Sequence, residues 1–156
     1  MKKDIDFKFK FKGNRKYIHG TDLFNECVKM LENEGLSEVS DIDMSFHKIM
    51  KQQLKGYLMS EDELSETDHF SFVFSFKFKD KKYFIGLNEV DMEVEGRYEY
   101  PEEQIVELSK FQEADKSILL SDPISFSFIE KIVALNKGLL ERLFPEISGK
   151  WYFTLL

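Results

Sequence analysis

The sequence predicts an α+β protein in which an antiparallel sheet wraps a central helix. Three stretches carry that expectation: the Phe–Lys alternation from Phe7 to Lys12, the phenylalanines at every second position from Phe70 to Phe78, and an apolar stripe between Leu23 and Leu31. Alternation with a period of two marks a strand with one buried face, and recurrence every three or four residues marks a helix with one apolar side.

In the first stretch Phe7, Phe9 and Phe11 are expected to point inward, and Gly13-Asn14 reads as a turn or bulge. Thr21 or Asp22 then supplies an N-cap, because a short side-chain oxygen can accept from an orphaned N–H of the first helical turn. Leu23, Phe24, Cys27, Val28, Met30 and Leu31 form one broad apolar side, while Asn25, Glu26, Lys29 and Glu32 face away. Gly35 is placed to close the helix in the left-handed conformation.

Residues 41–58 fit either a strand or a helical face, and a long bent strand is favoured by Gly56 and the polar interruptions at Lys48 and Gln52. After an acidic exposed stretch over 60–68, the Phe70–Phe78 strand turns at Asp80-Lys81 into a strand over 82–87, which gives an antiparallel meander. Pro101-Glu102-Glu103 opens a second helix, whose apolar side is Ile105, Val106, Leu108 and Phe111.

The chain of 156 residues is read as one compact domain, 1–156, with an internal repeat over 7–90 and 91–156 as an open question. Met92–Gly96 echoes Phe9–Gly13, and Tyr100 echoes Tyr17, at an offset of 83. Ser127, Phe128, Lys137, Gly138 and Leu140 lie 82 residues after Ser45, Phe46, Lys55, Gly56 and Leu58, and Lys150, Tyr152, Phe153 and Leu156 lie 69 after Lys81, Tyr83, Phe84 and Leu87. Against duplication, Phe128, Ile132, Leu135, Leu139 and Leu143 form a helical stripe where the first copy reads as strand.

A net charge of −7 argues against a general nucleic-acid binder, whose affinity would come from Lys and Arg on phosphates. The single cysteine, Cys27, sits on the apolar stripe and reads as a small hydrophobe, not a nucleophile. The N-terminus lacks a signal-peptide core and no run is long enough for a bilayer, so a cytoplasmic protein with no membrane association is expected. Three histidines without ligand spacing imply no metal, and nothing calls for a cofactor. His47 reads as structural and His69 as solvated.

A strand, a loop ending in His19-Gly20, a buried helix and an enclosing meander resemble the hot-dog fold of acyl-thioester dehydratases and thioesterases, taken twice as a double hot dog. The resemblance covers residues 7–90. Gly20 follows His19 here without the proline usual in the dehydratases of fatty-acid synthesis, and the thioesterase pairing of Asn and Tyr is absent. The resemblance implies a cytoplasmic protein of fatty-acid or polyketide metabolism that acts on acyl-CoA or acyl-carrier-protein substrates as a dehydratase or thioesterase. It makes His19 the general acid or base, with Asp22 as the local carboxylate and Glu102 or Glu103 as the carboxylate from the opposing half. Gly20 and Thr21 would offer amides to a thioester carbonyl. Ordinary capping by Asp22 and helix-terminal charge on Glu102 and Glu103 compete with those roles.

Lys8, Lys10, Lys12, Arg15 and Lys16 form a local positive surface beside this region, suited to the phosphates of coenzyme A or to an acidic carrier protein. Arg15 is accordingly a substrate-binding candidate. The competing account is an edge strand protected by lysines. The alternative function is a non-catalytic acyl-binding or protein-interaction module, and exposed edges with a two-helix core would permit a homodimer.

Overall fold

The computed structural model describes residues 2–66 and 68–149, and the chain divides into two compact units, one ending at Tyr98 and one starting at Glu99. The first unit comprises β1 (Lys3–Asp6), β2 (Phe11–Lys12), α1 (Gly20–Asn33), β3 (Val39–Phe46), β4 (Gln52–Ser60), β5 (Phe72–Phe78), β6 (Lys81–Glu93) and β7 (Arg97–Tyr98), with a single 3-10 turn at Glu61–Glu63. Five strands form an antiparallel sheet in the order β1-β4-β6-β5-β3, and β2 pairs in parallel with β7.

Helix α1 is buried through Thr21, Leu23, Cys27, Met30 and Leu31. Its apolar side joins Phe72, Phe74, Phe76, Ile85 and Leu87 in one core, with Phe24 and Phe74 rings 5.9 Å apart. Burial pushes the Cys27 thiol far above its ordinary pKa, with Glu26 adding to the effect, which suits an unreactive core residue. The helix ends as expected: Gly35 takes φ +72°, its N–H bonds to Glu32 O, and Leu36 N–H reaches back to Leu31 O. This is the paired closure that a glycine past the helix end permits. The N-cap differs from expectation. It is His19, through its backbone, because the Thr21 and Asp22 side chains reach away from the helix amides.

The β5–β6 hairpin forms one residue earlier than the Asp80-Lys81 turn, through Lys79 and Asp80, both at positive φ, the geometry of a two-residue hairpin that follows the strand twist. A consecutive meander does not form. β4 lies beside β6, not β5, so β6 inserts between the two strands that precede it. The long strand over 41–58 is also two strands. His47 and Lys48 N–H groups both bond to Ser71 O, and Met50 O accepts from Ile18 N–H, so residues 47–51 carry the chain from one edge of the sheet to β4. Met50 is buried in the core within that crossing.

The Phe7–Lys12 strand is interrupted too. β1 lies earlier than the alternation suggested, β2 is short, and between them the backbone N–H and C=O of Phe9 are both taken by the buried Gln53 amide at 2.8 Å. One side chain thus supplies what a neighbouring strand would supply. Phe7 and Phe9 are buried as expected, while Phe11 is half-buried beneath the Arg97 guanidinium, 5.4 Å from its ring.

In the second unit, α2 (Glu103–Glu107) leads to a hairpin of β8 (Ser109–Gln112) and β9 (Ser117–Leu120), then to α3 (Phe128–Leu143). Ser127 and Glu130 cap α3 reciprocally. The face that α3 buries is Ile129, Ala134 and Gly138, rotated from the expected stripe, so Phe128 is 72% exposed. Small residues there admit Val106, whose methyl would lie 3.0 Å from a Cβ at Gly138. Among the described residues the middle echoes fall on different elements: Phe128, Lys137, Gly138 and Leu140 are helical, whereas Phe46, Lys55, Gly56 and Leu58 are in strands. The last echo, at Lys150, Tyr152, Phe153 and Leu156, falls outside the described residues.

Candidate functional site at the start of helix α1

Parallel pairing of β2 with β7 sets Lys12 opposite Tyr98, with Gly13 N–H bonded to Tyr98 O at 2.9 Å. Arg97 fastens the same turn, donating to the carbonyls of Gly13 and Arg15. Lys12 is thereby driven under the helix start and is 0% exposed. Its ammonium donates to Thr21 Oγ1 at 2.8 Å and to Asp22 Oδ1 at 2.9 Å, and lies 5.8 Å from the centre of the Tyr98 ring. The Tyr98 hydroxyl closes the cluster by donating to Asp22 Oδ2 at 2.5 Å.

A cation at the N-terminal end of a helix works against the helix dipole. Burial makes matters worse, since a desolvated ammonium without a counter-charge costs several kcal/mol, of the order of 3–5 kcal/mol when one partner of a buried pair is removed. Asp22 meets both demands, neutralising Lys12 and placing negative charge in the first turn of α1. Thr21 links this pair to His19, whose Nδ1 is 2.7 Å from Thr21 Oγ1. Because a lysine ammonium only donates, the Thr21 oxygen acts as acceptor toward Lys12.

Four of the residues expected at the site are therefore brought together: His19, Gly20, Thr21 and Asp22 occupy the start of α1. Gly20 packs closely under its neighbour: a Cβ there would meet Phe46 Cζ at 3.0 Å, so a larger residue would press on that ring. Arg15 contributes its carbonyl to Arg97. Glu102 and Glu103 belong to the second unit, where Glu102 accepts from Lys137 at 3.5 Å. His47 and His69 are both exposed, which agrees with a solvated His69 and corrects a structural role for His47. Among the described residues, no group of three or more His, Cys, Asp or Glu side chains is placed to hold a metal, and no helix is long and apolar enough to cross a membrane.

The residues that sequence reasoning missed are Lys12 as a buried group, Tyr98, Arg97 and Gln53. Lys12 shares the spacing of Lys8 and Lys10, so nothing in the pattern singles it out; only the Gly13 turn, at φ +55°, hints that the alternation breaks there. What distinguishes the three is accessibility. Lys8 and Lys10 are exposed on either side of Phe9, whose backbone the Gln53 amide pins, whereas Lys12 is buried; Lys16, beyond the Gly13 turn, is exposed as well. No family model, curated protein or solved structure matches this chain, so its own side chains carry the functional reading.

Proposed function

We propose that this chain is a non-catalytic recognition module that docks an anionic partner on the basic segment ahead of α1. The carrying observation is the contrast in commitment. Asp22 has both oxygens bound to internal donors and Lys12 is fully buried, while Lys8, Lys10 and Lys16 present their charge to solvent. A carboxylate and an amine bound to each other inside the fold are not presented to an incoming substrate; they brace the turn that follows the exposed lysines Lys8 and Lys10.

The first nineteen residues hold seven Lys and Arg against two Asp, in a chain whose net charge is −7. A cationic strip on an acidic protein steers an anionic partner to one place and repels it elsewhere. The phosphates of coenzyme A and an acidic carrier protein both have the required charge. Titration calorimetry with coenzyme A, an acyl-CoA and an acyl carrier protein tests this. Binding is expected to weaken as salt rises, to be lost in Lys8→Glu/Lys10→Glu, and to survive in His19→Ala. Absence of salt-sensitive binding to all three overturns the proposal.

A second reading is favoured by the contact between His19 and Thr21 at the helix start, beside amides of Gly20 and Thr21 that stand at the positive end of α1. In that reading an acyl thioester binds there and His19 exchanges the proton. The helix–sheet interface is filled by Leu23, Leu31, Phe72, Phe74 and Leu87, all fully buried, so an acyl chain would have to displace them. Turnover of acyl-CoA that disappears in His19→Ala would establish this reading over the first.

A further inference from the structure

We infer that the docking strip recognises an extended acidic segment of a partner protein by strand addition, with the main chain of Lys8 and Lys10 as the receiving edge. The inference rests on the recognition reading and narrows it from any anion to a polypeptide.

β1 is an edge strand of the sheet among the described residues, and the chain runs on from it through residues 7–10 to β2. In that connecting stretch the two faces of the backbone have different fates. The N–H and C=O of Phe9 turn toward the sheet and are held by Gln53, and the Phe7 and Phe9 side chains are buried. Among the described residues no backbone hydrogen bond reaches the N–H or C=O of Lys8 or Lys10. An extended chain directs the backbone groups of successive residues to opposite sides, so these four groups form an unpaired edge continuing β1.

Lysines on such an edge are a common defence against pairing with another copy, since like charges directly opposite each other destabilise a ladder. The same charges select for an opposite partner. Residues two apart in a strand repeat at about 7 Å, so acidic residues at alternate positions of an added strand would fall across from Lys8 and Lys10. Main-chain bonds then give affinity, and the alternating charge gives specificity. The edge is already ordered by Gln53, so the entropy of fixing it is not charged to binding.

The test uses the full chain and two synthetic decapeptides of alternating Glu and Val, one unmodified and one N-methylated at alternate residues to remove the donors that would face the edge. Both carry the same charge. The unmodified peptide is expected to bind and to slow amide hydrogen exchange at Lys8 and Lys10, and Lys8→Gln/Lys10→Gln to weaken it at least tenfold. The N-methylated peptide is expected to bind at least tenfold more weakly. Equal binding of the two peptides would overturn strand addition while leaving charge-based docking intact; failure of both peptides, with coenzyme A also unbound, would overturn both. Dimerisation of the protein alone, accompanied by slowed amide exchange at Lys8 and Lys10 and strengthened in Lys8→Gln/Lys10→Gln, would assign the edge to a second copy and overturn the partner-segment inference.

Discussion

Lys8 and Lys10 stand in the same Phe–Lys run as Lys12, yet two are exposed and the third is among the largest fully buried side chains of the protein. Chain chemistry does not separate them. Their neighbours do. Lys12 has Asp22, Thr21 and the Tyr98 ring around its ammonium, whereas the backbone beside Lys8 and Lys10 is held by an uncharged amide that asks nothing of their side chains. A lysine is tolerated in the interior where a carboxylate has both a fixed position and a reason to be there, and Asp22 has both through the Tyr98 hydroxyl and the first turn of α1.

The sharpest way to break this comparison is to remove the counter-charge. Asp22→Ala is expected to cost about 3–5 kcal/mol in a urea titration, because it leaves an unpaired ammonium in the interior. Lys8→Ala and Lys10→Ala are expected to stay within about 0.5 kcal/mol of the parent, as is usual for exposed side chains. Replacing both members, as Lys12→Met with Asp22→Leu, is expected to recover most of the loss, since a buried pair exchanged for apolar groups of similar volume is often neutral. A double variant no better than Asp22→Ala would show that the cluster is needed for its shape and not for charge balance.

Next in size is Gln53→Leu. It keeps volume but strips both partners from the Phe9 backbone in a buried setting, which is expected to cost about 1–3 kcal/mol. The exchange rate of the Phe9 amide is expected to rise by the same free energy. A loss of acidic-peptide binding in this variant, with Lys8 and Lys10 unchanged, would tie display of the exposed lysines to the amide beneath them.

Tyr98→Phe sits lower, at about 1 kcal/mol, because it leaves the ring beside Lys12 and removes only the hydroxyl from Asp22. Measured next to Asp22→Ala, it separates the part of the cluster that neutralises Lys12 from the part that positions the carboxylate.

The legibility of these features in the sequence follows the distance over which each is determined. β5 and α1 are decided by their own periodicity, Phe72, Phe74 and Phe76 on one and Leu23, Cys27 and Leu31 on the other, and both were visible. The break at residues 47–51 was hidden because Met50 is apolar and in phase with Ile42 through Leu58, although its carbonyl is bound by Ile18, far back in the chain. The cap of α1 is not legible because Thr21 and Asp22 have capping chemistry, yet the Lys12 ammonium takes an oxygen of each and His19 stands at the cap. α3 is apolar on more than one side, so its stripe could not say that Ala134 and Gly138, the small residues, mark the packed face. The helix start as a polar cluster was legible. Its occupation by Lys12 and Tyr98 was not, since the pairing of β2 with β7 joins residues at opposite ends of the unit.

The smallest expected effect comes from a surface pair and gives the comparison its control. Strand β3 carries a bulge between Ser40 and Asp43, where Asp41 takes φ +49° and meets Lys77 at 2.7 Å. The hydrogen bond and charge of Lys77 hold the Asp41 carboxyl below the ordinary aspartate range, and Asp41 in turn pushes the Lys77 ammonium above the ordinary lysine range. A carboxyl lowered by folding contributes stability above its unfolded pKa, and that contribution is lost as pH falls through the lower folded value. For a raised lysine the contribution is complete below the unfolded pKa and is lost as pH rises through the folded value. The pair therefore contributes between these two limits and nowhere outside them. Asp41→Asn suits the left-handed backbone, so it deletes the charge without strain. It is expected to change stability less than Asp22→Ala, Gln53→Leu or Tyr98→Phe, and the change is expected to vanish in 1 M salt, where the screening length is roughly 3 Å. Asp22→Ala is expected to keep its full penalty at that salt, because no ion reaches Lys12. If both penalties shrank together in salt, Lys12 would be reachable from solvent, and the distinction between it and Lys8 or Lys10 would be one of degree.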